Sequence, residues 1–426
     1  MPGLASTPLP PHALWLRLFL PFAAGYLLSY LFRTSNAVIG PVLATDLALP
    51  DHALGLLTST YFITFAAAQL PLGMLLDRFG PRRVESILLL AAAAGAVVFA
   101  LAGDLAGLAW GRALIGLGVS ACLMAAFKAF NQSFPAERQA SLVGWIMSAG
   151  GLGAVVAAQP LELAMDLTGW RDVMLGLAAL TVAVSALIWL VVPDPRKGGP
   201  VHGAGLAEQL AGVGQVMTSR QFWRYAPMVT LSIGGFMAVQ GLWVSRWMSE
   251  VEGFGRTQIA QQLTWLNAAM IAGCLFMGFM TTPLIRRGFG EAKILDVIAV
   301  AFVIVFAAIN LLGGHGQGWL WALLAFVYPT SNISYTILTR SLPLALSGRA
   351  NTALNLAAFV GAFGLQWGMG IAVDALRTAG WSAEAAYRAT FALLLALQTA
   401  AVAWMFVAGR ASPAATVEPA PAPRRN

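Results

Sequence analysis

Arg33 stands in the middle of a long apolar stretch. An ionisable side chain there costs roughly 2.5–3.5 kcal/mol at a bilayer centre, so it is usually found facing a wet cavity and working in it. Tyr26, Ser29, Tyr30, Arg33 and Asn36 recur at helical spacing as one polar stripe on an otherwise apolar helix. A cation in such a low-dielectric place attracts an anion. Arg112 is a second buried cation, suited either to pairing with a neighbouring helix or carbonyl or to meeting a solute. Lys128 lies near a helix end and can snorkel to the interface. Polar side chains return further along the sequence as Gln240 and Trp243, Thr264 and Asn267, Tyr328, Asn332, Tyr335 and Thr339, and Asn351, Asn355 and Gln366. Each amide serves equally as glue between helices or as a ligand contact. The candidate substrate contacts are Arg33, Tyr30, Asn36, Tyr61, Arg112, Gln159, Gln240, Trp243, Asn267, Asn332, Tyr335, Asn355 and Gln366.

No Asp or Glu is expected at the middle of a membrane span: Glu162, Asp166 and Asp374 fall toward one end and Asp296 near the other. A cavity holding Arg33 and no acid is electropositive and suits an anionic or zwitterionic solute. It also lacks the usual carboxylate proton carrier, which leaves coupling to a proton or to a counter-anion open. Met270 and Cys274 place two sulfurs on one helix face, the donor type that a soft metal takes. With 15 methionines in so apolar a chain, packing explains them, and no metal site is expected. Cys122 and Cys274 fall in opposite halves, so neither a disulfide nor a CxxC motif forms. Nothing resembles a nucleophile with its base, a phosphate loop or a cofactor-binding pattern, so an enzyme is not expected.

The elements that position these residues are legible in the composition. The chain is 58% hydrophobic and 10% charged, with mean hydropathy +0.74. Soluble domains are about a quarter charged, so the solvent for this surface is lipid. The apolar residues fall in blocks of roughly 20 to 26, the length that crosses a hydrocarbon core of about 30 Å. Spans are predicted over 16–43, 52–76, 84–103, 107–130, 140–165, 171–192, 225–249, 258–283, 292–313, 317–340, 350–375 and 386–408. Runs such as Ala91–Ala100 show no period-two alternation, which excludes barrel strands. The fold class is therefore an all-α membrane protein of twelve transmembrane helices.

Placing both termini inside gathers Arg17, Arg78, Arg82, Arg83, Lys128, Arg138, Arg196, Lys197, Arg220, Arg224, Arg286, Arg287, Lys293, Arg340, Arg349, Arg410, Arg424 and Arg425 on the cytoplasmic side. Only Arg171, Arg256, Arg377 and Arg388 remain outside. That asymmetry predicts a multi-pass inner-membrane protein with cytoplasmic termini, and it accounts for the net charge of +7 without a nucleic-acid partner. No cleavable signal peptide is expected. The Pro- and Gly-rich run PDPRKGGPVHGAG divides the spans six and six. The domains read as a disordered N-terminus over 1–15, a six-helix bundle over 16–193, a cytoplasmic linker over 194–224, a second bundle over 225–408 and a disordered tail over 409–426. Gly73 followed by Arg82 and Arg83 is echoed by Gly278 followed by Arg286 and Arg287. Such parallel repeats imply two pseudo-symmetric bundles around a midplane site.

The segment Gly73-Met-Leu-Leu-Asp77-Arg78-Phe-Gly80-Pro-Arg82-Arg83 resembles the signature loop of the major facilitator superfamily, and it stands where that family has it, between the second and third spans. The resemblance covers essentially the whole chain. It implies the twelve-helix, two-bundle fold and a loop, Gly73, Asp77, Arg78, Gly80, Arg82 and Arg83, that gates between conformations. Asp77 is expected to cap a neighbouring helix or to meet an arginine. The second-half copy has Thr282 at the acid's place. Arg112-x-x-x-Gly116-x-Gly118 is another family-like element. The fifth span, GGLGAVVAAQP, lacks the Gly-Pro antiporter pattern. YLLSYLFRTSNAVIGP at 27–42 is similar to the first span of the sugar-phosphate and organophosphate permease group, in which an arginine at this depth meets the substrate anion. The implied function is secondary transport of a small organic anion by alternating access, as symporter or antiporter, with membrane lipid as the other partner. The alternatives are a transporter-like solute sensor, proton-coupled efflux and, least favoured, soft-metal transport.

Overall fold

A polypeptide in hydrocarbon must satisfy every backbone N–H and C=O within itself, and helices do so without help from outside. The computed structural model describes residues 14–193, 206–313, 318–343 and 346–410, and the regular structure in them is helical throughout. The terminal tails, expected to be disordered, lie almost wholly outside the described residues, as do residues 194–205 of the linker.

Among the described residues ten helices are long and apolar enough to cross a membrane: Trp15–Asp46, Asp51–Phe79, Pro81–Leu101, Leu105–Ser133, Trp170–Val191, Arg220–Glu250, Arg256–Arg286, Glu291–Leu312, Ser347–Thr378 and Ala383–Gly409. Two further predicted spans are broken. The fifth consists of Ser141–Val156 and Gln159–Thr168, bent by 41°. Pro160 stands in the first turn of the second piece, where its missing N–H ends one ladder of bonds and its fixed φ suits the start of the next. The tenth runs as the apolar helix Gly318–Val327, a 3-10 turn Tyr328–Asn332 containing Pro329, and Ile333–Ser341. Both pieces are consistent with the twelve expected. The linker holds one more helix, Leu206–Met217, and the seventh span already begins at Arg220.

Successive spans alternate in direction. Trp15, Phe79, Pro81, Ser133 and Arg220 thus share one face, called near, while Asp46, Asp51, Glu250 and Arg256 share the other, called far. Leu190, Leu311 and Phe279 are exposed by more than two thirds of their surface, which lipid accommodates and water would not.

Small residues let the helix backbones approach. A Cβ on Gly116 of the fourth span would stand 2.3 Å from the Tyr61 carbonyl of the second, and one on Gly153 would stand 2.1 Å from the Leu27 carbonyl of the first. In the second half a Cβ on Gly234 of the seventh span would stand 2.5 Å from the Ala358 carbonyl of the eleventh. Without a hydrophobic driving force between helices in lipid, such close van der Waals packing holds the bundle together. Gly80 has φ +79° and caps the second span, a backbone that a side chain would strain. The seventh span carries two π-helical stretches, Val229–Gly234 and Val239–Trp243. Such wide turns occur frequently at functional sites.

Gly116→Leu is expected to lower the thermal unfolding midpoint in detergent by the equivalent of about 1–3 kcal/mol. Gly176→Leu, where an added Cβ would meet nothing within 4 Å, is the control expected to leave it in place. Equal midpoints for both variants would contradict the close approach of the second and fourth spans.

Candidate functional site

The first span changes helix at its polar stripe: Leu20–Thr34 ends, Ser35 intervenes, and Asn36–Asp46 continues. Arg33 sits at that junction and points between the two bundles. Its guanidinium carbon lies 4.6 Å from the Tyr30 ring, 5.4 Å from Phe65 of the second span and 5.5 Å from Phe359 of the eleventh. Phe65 and Phe359 stack across the halves, centroids 4.3 Å apart and rings within 12° of parallel. Aromatic faces attract a cation, and Tyr61 adds a hydroxyl within hydrogen-bonding reach of the guanidinium. The buried Nε of Arg33 has no hydrogen-bond partner, and no carboxylate among the described residues pairs with it. Tyr328 of the tenth span lies within electrostatic reach of Arg33, Tyr30 and Tyr335.

Arg112 is 1% exposed and stays within the first bundle. Its Nη1 donates to the Phe32 carbonyl at 2.9 Å, its carbon lies 5.3 Å from the Tyr61 ring, and Nε and Nη2 are unpartnered. Tyr61 donates to the Ser29 carbonyl at 3.4 Å. Asn36 donates to Thr58, and its carbonyl oxygen has no partner. Tyr30, Arg33, Asn36, Tyr61 and Arg112 therefore form one cluster on the first bundle.

A second cluster joins the halves. Gln240 donates to Asn267 at 2.8 Å, and Asn267 donates to the Ala154 carbonyl of the fifth span at 2.8 Å. The Gln159 N–H donates to Thr264 at 3.2 Å. Trp243 donates to the Gln366 carbonyl at 3.0 Å, and both side chains are fully buried where Gly55 of the second span packs against them. In this conformation they belong to the closed seam. Tyr335 and Asn355 are half-buried and Asn332 is exposed. The Met270 sulfur accepts from the Gln240 amide at 3.6 Å.

Toward the far face the seam becomes ionic. Asp51, in the first turn of the second span, where the helix dipole favours an acid, pairs with Arg246 at 3.0 Å and accepts from Tyr387 at 2.9 Å. Arg377 approaches the same carboxylate at 3.7 Å, and Arg246 also meets Glu250 at 3.3 Å. Arg256 reaches Asp166 at 3.1 Å and Glu162 at 3.8 Å. The first half thus supplies acids and the second supplies arginines, with one reversed pair, His52 to Asp374 at 2.7 Å. Among the described residues, the hydrogen bonds and ion pairs that bind the two bundles directly lie between the midplane and this face. On the near side the linker helix touches both: Gln209 lies about 3.5 Å from where a Cβ of Gly73 would be, and Glu208 pairs with Arg349 of the eleventh span at 3.0 Å.

Two expectations need correction. Among the described residues Asp77 neither caps a helix nor meets an arginine: it pairs with Lys128 of the fourth span, whose long stem reaches the loop from within the same bundle. Arg78 and Arg82 lie over Phe79 and Trp189, and Glu291 with Arg340 forms the comparable pair of the second half. Gly73 meets a linker side chain rather than a helix backbone. Finally, an acid that the sequence reading did not single out lies buried about one turn inside the near end of a span. Glu85 of the third is completely buried and both its oxygens lack partners. Its place near the predicted start of a span hid it, since depth cannot be told from position alone when a helix extends beyond its apolar core. Phe65 and Phe359 were also missed, because a phenylalanine in an apolar run carries no signal of what it faces.

A family model, the Major Facilitator Superfamily, matches residues 22–365, and the chain belongs to that family. The hexuronate transporter of Escherichia coli K12 is 25% identical over 308 residues, 68% of this chain and 69% of that one. A probable L-galactonate transporter of the same organism is 25% identical over 341 residues, 72% and 73% of the two chains. In fold, the chain resembles the crystal structure of a bacterial homologue of the human lysosomal transporter Spinster, inward-facing and unoccupied. That likeness has a TM-score of 0.76 at 19% identity and covers 94% of this chain and 97% of that one. The protein is a transporter and not an enzyme.

The far-face ion cluster yields a double-mutant cycle. Asp51→Asn and Arg246→Gln are each expected to destabilise the purified protein, and the pair is expected to cost less than their sum by about 0.5–3 kcal/mol. Additive unfolding midpoints would remove Asp51 and Arg246 as a linked pair.

Proposed function

We propose that this superfamily member moves a small organic anion, a hydroxylated monocarboxylate of the sugar-acid type, across the bacterial inner membrane by alternating access, with Arg33 as the residue that holds the carboxylate. The observation that carries the reading is the setting of Arg33: a guanidinium between rings of both halves, with a buried unpartnered N–H and no acid beside it. A carboxylate offers that fork a charge-assisted, bidentate partner that aromatic faces cannot. The relatives named above as hexuronate and L-galactonate transporters support the substrate class. Hydroxyl groups on such a solute match Tyr30, Asn36, Tyr335 and Asn355, and Arg112 stiffens the wall behind Tyr61.

Coupling follows from position. A solute that touches Arg33 and the Phe359 side of the second bundle binds both halves at once, so its affinity differs between conformations that separate and join them. The bundles over 16–193 and 225–408 are proposed to rock as bodies, with the far-face ion pairs closed in the present state and the signature loop and linker helix engaged on the near side. The positive charge gathered at the near face makes it cytoplasmic and both termini internal. The closed far face is then the periplasmic gate, and the present state is inward-facing. A proton or a counter-anion supplies the driving ion.

Purified protein is expected to rise in unfolding temperature with D-galacturonate or L-galactonate, since a ligand that binds only the folded state stabilises it. Sulfate-matched controls and neutral sugars are expected to give no shift. Arg33→Gln should lose the shift and at least tenfold in uptake by proteoliposomes, and Arg33→Lys should recover part of it. Wild-type uptake in Arg33→Gln would take Arg33 out of the site.

A further inference from the structure

Glu85 has no role in the anion site, yet its surroundings are built around it. The carboxyl lies against the first span at Gly25, where Oε1 stands 2.2 Å from the position a Cβ would take. Glycine is therefore what makes room for the acid. The Ile188 side chain of the sixth span closes the other side of the same notch. The one side chain that acts on the carboxyl at short range among the described residues is the Cys122 thiol of the fourth span, a weak donor, and neither oxygen has a full hydrogen bond. Arg82, one turn earlier on the same helix, turns to Trp189 instead. On the sixth span the nearby hydroxyl, Ser185, is spent on the Ser86 carbonyl at 2.7 Å. An isolated carboxylate in a dry interior is costlier than almost any other group, whereas the acid form needs far less.

A cavity opens between this notch and the near face. A small near-face pocket is lined by Leu18, Pro81, Ala129 and Val192. Each lies one to two turns nearer that face than Gly25, Glu85, Cys122 and Ile188, and on the same four spans. Gly25 and Arg33 are eight residues apart on one helix, about 12 Å, and Arg33 acts electrostatically on Cys122, which lies against Glu85.

Resting on the transport reading above, we propose that Glu85 is a proton-binding site, loaded from the far side in the opposite conformation and emptied toward the near-face pocket, whose occupancy is coupled to the anion at Arg33. Proton and monocarboxylate then cross together as a neutral pair: the carboxyl keeps its hydrogen while the anion is held, and it gives that hydrogen to water on the near side when the anion leaves. An ionised Glu85 at about 12 Å from the Arg33 site opposes anion binding by about tenfold at an effective dielectric of about 20. By reciprocity a bound anion holds the proton tenfold more tightly.

Two measurements test this. In substrate-free purified protein, infrared difference spectra across pH should contain the carbonyl band of a buried carboxylic acid that Glu85→Gln lacks. In proteoliposomes loaded with D-galacturonate, Glu85→Gln should retain counterflow exchange while losing accumulation driven by an imposed pH gradient. Glu85→Asp, which keeps the acid, should retain gradient-driven accumulation with a displaced pH profile, and this variant decides the matter if Glu85→Gln proves unable to exchange. Absence of the band, or gradient-driven accumulation that survives in Glu85→Gln, overturns the proposal. Wild-type protein that carries no organic anion overturns the transport reading and the coupling with it, and the infrared band then tests the proton site on its own.

Discussion

What the rest of this structure depends on is the cost of leaving a charge alone in a lipid-covered bundle. Almost every ionisable group answers that cost locally. Asp77 takes Lys128, Glu291 takes Arg340, Arg388 takes Glu384 and two carbonyls, and Asp51 takes two arginines and a tyrosine. Beside Arg112, whose guanidinium keeps one carbonyl and two unpartnered nitrogens inside the first bundle, two buried sites do not balance in this way. Arg33 is met by rings rather than by an acid, and Glu85 is met by a glycine notch and a thiol. Unbalanced charge persists where something outside the chain completes it, and the two sites call for opposite completion, an anion and a proton.

The class of fold was legible because lipid simplifies the problem. Length and apolarity decide which segments cross, and arginine asymmetry decides how they alternate. Where prediction blurred, the cause was local chemistry. Pro160 and Pro329 break the fifth and tenth spans, so that a single apolar block becomes two helices. Asp77 found Lys128 because a flexible side chain reaches across space that sequence separation does not measure. Arg33 could be singled out from its setting in the stripe. Its partners Phe65 and Phe359 could not, since their role depends on two distant helices meeting.

The four arginines that break the charge rule on the far face also make physical sense only in three dimensions. Arg256 and Arg377 bind acids of the opposite bundle, Arg388 closes two carbonyls and Arg171 lies over Trp170. Seen only as topology they are exceptions. Placed in the structure, two of them join the halves, and the pair exposed to water on both sides, Arg256 with Asp166, is individually weak and therefore breakable. A seam meant to open gains more from several such pairs than from one tight contact.

The linker helix Leu206–Met217 has a mechanical consequence of its own. It lies against Gly73 in one bundle and is tied to Arg349 in the other, with Gly212 packed directly on the Arg349 stem. A short rigid rod anchored at both ends behaves as a spacer: it resists the near rims coming together as well as drifting apart. The length of the stroke is then fixed by the span of that rod, and the chain between the halves becomes a component of the machine rather than a passive string.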